Sequence, residues 1–132
     1  MIKIPLKLES EANSNEHWSK SYKRHRMQKK IIRAYLKKEY CSPLLSVMFE
    51  IPICVTLTKY APREFDSDNL QSAFKYIRDA ISEYVTGCTI AGRADNDTRI
   101  SWDYKQEKTK NKEYYITIEI SSTTKNTPTQ QE

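Results

Sequence analysis

Apolar residues at helical spacing between positions 68 and 84 constrain the fold of this chain more than any other feature. They recur every three or four positions without an intervening Gly or Pro, which predicts an amphipathic helix over Asp68 to Tyr84. Gly87 is a suitable end signal for that helix. A helix of this kind buries one face, so other elements must complete the core. The apolar stripe consists of Leu70, Ala73, Phe74, Ile77, Ile81 and Tyr84.

Segments in which apolar and polar residues alternate predict the strands. The second of these segments contains Pro52, which favours an edge strand or a bulge. Lys108 to Lys112 is predicted to join the last two strands as a hairpin loop. The four predicted strands are Ile2 to Leu8, Val47 to Tyr60, Ile100 to Gln106 and Glu113 to Ser121.

A second helix is predicted from about Trp18 to Tyr40, before Pro43, which bars its continuation. The resulting order, β-α-β-α-β-β, indicates an α+β fold. We expect a single domain in which a small mixed β-sheet of about four strands packs with two main helices. The domain is predicted to span residues 1–121, and the polar residues 122–132 are predicted to form a disordered tail.

The basic residues favour a polyanionic partner. The 132-residue chain has a formal net charge of +5 and a sequence pI near 9.0. Lys and Arg supply most non-specific affinity for nucleic acid by neutralising phosphates. Nine of them lie between Lys20 and Lys38, with no acidic residue among them. Like charges on neighbouring turns destabilise a helix, so this run indicates an external anion, whereas a solvated helix face is the alternative interpretation.

Cysteine and glycine usage exclude several classes of protein. The three cysteines form no CxxC pair, which argues against a zinc framework or a disulfide scaffold and favours a reduced, cytoplasmic compartment. No apolar run approaches the roughly 20 residues of a membrane span, and the N-terminus lacks the apolar region of a signal peptide. With only two glycines, a Gly-rich phosphate loop is not expected, which argues against a nucleotide cofactor.

Two pairs of aspartates form the pattern with the clearest chemistry. Asp66 and Asp68 lie where a loop leads into the predicted helix, and Asp95 and Asp97 lie just before the third strand. Carboxylates that converge from different elements can hold Mg²⁺, a hard cation that takes oxygen ligands. Each pair also has a structural interpretation. Asp68 fits a helix N-cap with Gln71 at N3, Asp66 fits an ordinary loop aspartate, and the second pair fits a turn.

Lys75 is a candidate phosphate ligand on the predicted helix. At about 100° per residue, Lys75 and Asp79 lie nearly in line with Asp68, and Ser72 lies on the same side. Helical side chains tilt toward the N-terminus, so Lys75 is predicted to reach a phosphate held near Asp66 and Asp68. A solvent-facing lysine paired with Asp79 is the alternative.

Together these residues resemble the RusA family of Holliday-junction resolvases, particularly its phage-type relatives. The family's Asp-x-Asp-Asn motif stands here as Asp66-Ser67-Asp68-Asn69. Its lysine followed by xxxD stands as Lys75 to Asp79, and its third aspartate, in a turn before a strand, stands as Asp97. The segment from Ser10 to Trp18 is similar to an early Asn-containing loop of the family, and the resemblance covers about residues 2–120.

Two positions depart from the family's pattern. In its best-known form the lysine falls three residues after the Asn, where this chain has Ser72, so the role is assigned to Lys75 one turn later. The spacing to the third strand favours Asp97 as the third carboxylate, whereas the family's Asp-Asp doublet favours Asp95. Asp97 is taken as the ligand and Asp95 as a helper.

The resemblance implies a Mg²⁺-dependent, structure-specific endodeoxyribonuclease, with Mn²⁺ as a substitute metal. Such a protein resolves four-way (Holliday) DNA junctions by paired phosphodiester hydrolysis in recombination and repair. It is expected to be a homodimer in the cytoplasm of a bacterial or phage-infected host cell. The alternatives are a non-catalytic basic DNA-binding module, in which the Asp-x-Asp motif only caps a helix, and a scaffold protein whose charge is incidental. The expected catalytic residues are Asp66, Asp68, Asp97 and Lys75, with Asp66, Asp68, Asp97 and Asp95 on the metal, and the expected DNA contacts are Asn13, His17, Lys20, Lys23, Arg24, Arg26, Lys30 and Asn69.

Overall fold

A computed structural model describes residues 1–10, 17–40, 52–86 and 99–122 of the chain. It has a four-stranded mixed sheet and three helices, which confirms the expected α+β class. None of the helices in these ranges is long and apolar enough to cross a membrane. The elements are β1 (Ile2–Ile4), α1 (Trp18–Tyr40), β2 (Ile53–Ala61), α2 (Ser67–Ala73), α3 (Lys75–Thr86), β3 (Ile100–Lys108) and β4 (Tyr115–Ser122).

The strand order in the sheet is β1-β4-β2-β3. Strand β2 pairs in parallel with β3, and β4 runs antiparallel to both β1 and β2. Strands β1, β2 and β3 therefore run in one direction and end at the same edge of the sheet. We call this the carboxyl edge and define it by Ile4, Ala61 and Lys108, the last residues of the three strands.

The predicted hairpin between the last two strands is wrong, because β2 lies between β3 and β4 in the sheet. The edge position suggested for the second strand is also wrong, because β2 has a neighbour on each side. Pro52 lies one residue before β2, where its missing N–H interrupts no ladder. Parallel pairing of β2 with β3 requires a long crossover connection between them. The alternation of apolar and polar residues predicts strands but does not show which strands pair.

Several boundaries differ from the sequence prediction: β2 ends at Ala61, β3 ends at Lys108 rather than Gln106, and β4 begins at Tyr115 rather than Glu113. Strand β1 ends at Ile4 rather than Leu8, because Pro5 follows and the Leu6 N–H turns back to the Ile4 carbonyl at 2.8 Å. The predicted tail, residues 122–132, begins one residue too early, because Ser122 still belongs to β4. Residues 123–132 lie outside the described part of the chain.

The helices and the inward face of the sheet enclose the core. Strand β2 contributes Ile53, Val55 and Leu57, all fully buried. The predicted helix over residues 18–40 is confirmed at both ends, and its buried apolar side chains are Ile32 and Leu36. Alternate positions of β4 also point inward, as predicted, and the helices α2 and α3 add Leu70, Ala73, Phe74, Ile77, Ala80, Ile81 and Val85.

Helices α1 and α3 run in the same direction. His25 stacks on Tyr76 with ring centroids 3.6 Å apart. Further along both helices, Lys29 and Arg33 bind the Glu83 carboxylate at 2.8 and 3.0 Å. Because later residues of α1 meet later residues of α3, their N-terminal ends lie at the same end of the domain. That end is the carboxyl edge, since α1 follows β1, and α2 and α3 follow β2.

Candidate functional site

Asp66 is the N-cap of α2, which corrects the sequence interpretation that placed the cap at Asp68 and gave Asp66 no capping role. The backbone of Asp66 is extended, with φ −70° and ψ 168°. Its Oδ1 accepts the backbone N–H of Asn69 at 2.9 Å. The Asn69 side-chain amide donates to the other oxygen, Oδ2, at 3.3 Å. Asn69, predicted as a DNA contact, therefore orients the Asp66 carboxylate.

Asp68 lies in the first turn of α2, and both Asp66 and Asp68 are exposed to solvent. Two exposed carboxylates are a ligand set that Mg²⁺ can use, because Mg²⁺ is commonly held by one or two carboxylates together with waters and substrate phosphates. In the described ranges, no group of three or more His, Cys, Asp or Glu side chains is placed to hold a metal ion. Asp95 and Asp97, the remaining predicted ligands, lie outside the described residues, as does Asn13.

Gln106 on β3 holds the loop that carries Asp66. Its side-chain Oε1 accepts the Phe65 N–H at 2.9 Å, and its Nε2 donates to the Phe65 carbonyl at 2.7 Å. The amide thus binds the backbone of Phe65 as a strand partner would, one residue before the cap. Gln106 was not predicted as a site residue. The sequence held one sign of this role: Gln106 continues the alternating positions Ile100, Trp102 and Tyr104, which face inward on β3.

Lys59 is a second residue that the sequence did not single out. It lies on the inward face of β2 in series with Leu57, and it is only 3% exposed. Its ammonium donates to the Arg63 carbonyl and lies 3.8 Å from the centroid of the Phe65 ring. Desolvation lowers the pKa of Lys59, and the nearby Glu64 carboxylate partly offsets that effect. The sequence sign of this burial was a lysine two residues after Leu57, on the same face of the predicted strand.

The predicted alignment of Lys75 with Asp68 assumed one continuous helix, but the helix is interrupted at Phe74. Phe74 has φ −88° and ψ 0°, and its N–H is shared between the carbonyls of Leu70 and Gln71 at 3.3 and 3.2 Å. Phe74 is fully buried, so packing holds the interruption in place. Lys75 begins α3 as an exposed residue, with its ammonium 5.5 Å from the centroid of the Tyr76 ring.

Several predicted DNA contacts lie exposed on α1. They are Lys20, Lys23, Arg26 and Lys30, whereas Arg24 is half-buried. Large apolar side chains lie exposed among them, with Trp18 at 74%, Tyr22 at 58% and Met27 at 55%. Cations interspersed with aromatic side chains are typical of surfaces that track a nucleic-acid backbone and stack bases.

Two features of α1 differ from the sequence interpretation. The charge run is not wholly unrelieved, because Glu83 on α3 binds both Lys29 and Arg33. His17, predicted as a DNA contact, lies one residue before α1. Its Nδ1 accepts the Ser19 N–H at 3.2 Å, and its carbonyl accepts the Lys20 N–H at 3.0 Å. This imidazole therefore acts as a cap for the basic helix.

The carboxyl edge brings the acidic pair and the basic helix to one end of the domain. Asp66 and Asp68 follow β2 at this edge, and the first turns of α1 lie at the same end. Comparisons with protein-family models, with curated proteins and with solved structures found no match.

Proposed function

We propose that this chain is a Mg²⁺-dependent, structure-specific endodeoxyribonuclease that resolves four-way DNA junctions by paired phosphodiester hydrolysis. The sequence resemblance to the RusA family motivates the substrate. A role in recombination and repair, in the cytoplasm of a bacterial or phage-infected cell, belongs to the same proposal. Mn²⁺ is expected to substitute for Mg²⁺.

One observation carries the proposal: two exposed carboxylates and the start of a basic, aromatic-bearing helix share one end of the domain. Asp66 and Asp68 are open to solvent at the start of α2. Lys20 and Lys23 are exposed near the start of α1. An acidic pair that held no cation would repel the DNA that such a helix attracts. A bound divalent cation turns that repulsion into attraction for a phosphate.

Each residue of the site then has a separate proposed role. Asp66 and Asp68 hold the metal, with Asp97 as a third ligand and Asp95 as a helper. When bound, Mg²⁺ lowers the pKa of a coordinated water and stabilises charge on the phosphate. Lys75 offers a point positive charge to the same phosphate. Asn69 and Gln106 fix the Asp66 side chain and the Phe65 backbone, so the oxygens are oriented before the metal binds.

The decisive experiment incubates the protein with a synthetic four-way junction, with and without Mg²⁺, and maps the cuts on each strand. Paired cuts at symmetric positions that require the metal support the proposal. A linear duplex of the same sequences is the control for structure specificity. Binding without any metal-dependent cutting would contradict the proposed activity.

A non-catalytic DNA-binding module is the second candidate, and the capping geometry favours it. Both oxygens of Asp66 already accept hydrogen bonds from Asn69, as expected of a purely structural cap. A pure cap tolerates Ser, because a hydroxyl accepts the same N–H. Asp66→Ser therefore separates the candidates. Under either candidate function, the Asp66→Ser variant should still bind DNA. It should lose metal-dependent cutting if Asp66 is a metal ligand.

A further inference from the structure

A cationic cleft opens at the carboxyl edge, beside the loop that carries Asp66. Three connections form it: the segment after β1, the loop after β2 and the turn between β3 and β4. Its volume is about 530 Å³. Phe65, which immediately precedes Asp66, forms part of the wall. The cleft is also lined by Lys7, Ser10, Lys59, Arg63, Lys112 and Tyr114.

Charge in this cleft is one-sided among the residues that the structure describes. Of these, four cationic side chains line it against one carboxylate, Glu9. The Ser10 hydroxyl is buried and has no hydrogen-bond partner among the residues that the structure describes. A buried polar group without a partner is costly, so a ligand acceptor or donor at this position would be stabilising. Lys7 lies 4.8 Å from the centroid of the Tyr114 ring, which places cation and aromatic side by side.

The turn that carries Lys112 is held in an unfavourable backbone conformation. Asn111 and Lys112 have φ of 59° and 58°, and the Glu113 N–H donates to the Lys110 carbonyl at 3.4 Å. Consecutive residues with positive φ indicate a turn of the mirror-image type, in which the second position strongly favours Gly. A lysine in that position costs stability. Such residues persist at functional sites, where the side chain is needed.

The position of the cleft fits ligand binding. In open sheets with parallel strands, ligands bind beyond the carboxyl ends of the strands, where the connecting loops converge. All three strands that run in one direction here send their following connections into this cleft. Its volume exceeds that of a single small anion, and its aromatic wall suits a strand of nucleic acid.

We propose that this cleft binds a backbone phosphate of the DNA substrate, next to the metal site but separate from it. The inference rests on the proposed function, because it names DNA as the occupant. Lys112 and Lys7 are the phosphate ligands, Ser10 contributes its hydroxyl, and Phe65 and Tyr114 border the sugar and base. The cleft thereby fixes the path of the strand that passes the carboxylates.

Lys112→Gly tests the inference, because it removes the cation and relieves the backbone together. Affinity for a labelled four-way junction is measured without divalent metal, over a range of salt concentrations. We expect a melting temperature at or above that of the parent protein and an affinity roughly fivefold lower at 0.1 M salt. The slope of log affinity against log salt should fall by about one unit, the value for one phosphate that the protein no longer neutralises.

Two control variants isolate the charge at position 112. Lys110→Ala removes a lysine from the same turn that does not line the cleft, and Asn111→Gly relieves the backbone without changing charge. Both should leave affinity and slope unchanged. An equal loss in Lys110→Ala, or an unchanged slope in Lys112→Gly, overturns the inference. A loss of affinity confined to inorganic phosphate or a nucleoside monophosphate, with junction binding intact, also overturns it.

Failure of the inference and failure of the proposed function give different results. If the parent protein cuts junctions and Lys112→Gly binds them normally, the cleft inference fails alone. If the parent binds junctions through Lys112 but never cuts them, the nuclease proposal fails and the cleft stands as part of a binding module. If the parent binds no DNA, both fail.

Discussion

Asp66 combines a structural and a proposed chemical role in one side chain. As the N-cap it accepts the Asn69 N–H, and as a proposed ligand it gives oxygen lone pairs to a metal. A carboxylate oxygen has two lone pairs, so both roles are compatible. Substitutions can separate them, because an amide caps a helix about as well as a carboxylate does but is a poorer metal ligand.

We expect Asp66→Asn to abolish cutting while the free energy of unfolding changes by less than about 0.5 kcal/mol. Asp66→Ala should also abolish cutting but cost about 1 kcal/mol, because the Asn69 N–H loses its acceptor. Asp68→Asn should abolish cutting at little cost in stability, since Asp68 makes no cap. Urea unfolding and junction cleavage measure the two effects. A near-normal cutting rate in Asp68→Asn would remove Asp68 from the site.

Lys75 and Ser72 compete for the family's lysine position. Lys75→Ala should lower the cutting rate with little effect on junction affinity, because a ligand of the scissile phosphate acts mainly on the chemical step. Ser72→Ala is the comparison variant, since both residues are exposed and lie on either side of the interruption at Phe74. A larger rate loss in Ser72→Ala would assign the functional position to the earlier turn. A change in affinity alone would make Lys75 an ordinary backbone contact.

The helices show where local patterns suffice and where they do not. Helix α1 could be predicted to its ends, because its apolar spacing and the following Pro43 are local signals. The break at Phe74 could not be predicted, because burial of that ring against the core sustains it. The central position of β2 in the sheet depends on strands more than forty residues away in sequence, and so do the hydrogen bonds of Gln106 to the Phe65 backbone. No local sequence pattern encodes such distant contacts. The Asp-x-Asp motif marked the start of the helix, but only the backbone at Asp66 showed which aspartate caps it.

Glu83 links α1 to α3, and its contribution should depend on pH. Burial alone would raise the pKa of Glu83, but hydrogen bonds and charges from Lys29 and Arg33 outweigh it and lower the pKa below 4.5. The unfolded chain therefore binds the proton first as pH falls. The stabilisation is fully present above about pH 4.5 and is lost as pH falls through the lower pKa of the folded state.

We expect Glu83→Gln to destabilise the protein by about 1 kcal/mol at neutral pH, because it removes the negative charge that Lys29 and Arg33 share. The difference from the parent protein should shrink as pH falls below about 4.5. Urea unfolding at a series of pH values measures it. A difference that stays constant down to about pH 3 would show that packing, rather than charge, links the helices.

The cations near the start of α1 should act together on DNA. Replacing Lys23, Arg24 and Arg26 with Ala is expected to weaken binding to every DNA tested. The salt slope should fall by about one unit for each phosphate that is no longer neutralised. Replacing Lys37 and Lys38 at the far end of α1 is the control, which removes two charges from the same helix rather than three. Unchanged affinity and slope in the triple variant would make the run a solvated face.

At the scale of the whole molecule, paired cutting requires two sites. One chain supplies a single Asp66–Asp68 pair, so we predict a homodimer, the commonest symmetric assembly. The chain has nine tyrosines, and Trp18, Tyr22 and Met27 lie exposed on α1. Aromatic residues are enriched at interfaces. Sedimentation at micromolar concentration should show a dimer before DNA is added. A monomer that stays monomeric on the junction yet makes paired symmetric cuts would contradict this assembly.

The parallel register of β2 and β3 has a consequence for how such a dimer would share its chemistry. Ile100 pairs with Ile53, and Lys108 with Ala61, so the register spans about 26 Å from the start of β3 to the carboxyl edge. Asp97 is three residues from Ile100 in sequence, a reach of at most about 10 Å. Even fully extended, three residues span less than half of that distance. If Asp97 and Asp66 bind the same metal, this distance favours carboxylates from two copies of the chain.

Mixed subunits distinguish the two arrangements. Asp66→Asn and Asp97→Asn homodimers should each be inactive, but subunits of the two kinds, combined, would rebuild one intact site if the ligands come from different copies. That hybrid would nick one strand of a junction and leave its symmetric counterpart uncut. If the combined subunits stay inactive, each chain carries its own complete set of carboxylates. Cutting two strands in concert would then require only that the subunits be held together, not that they complete one another.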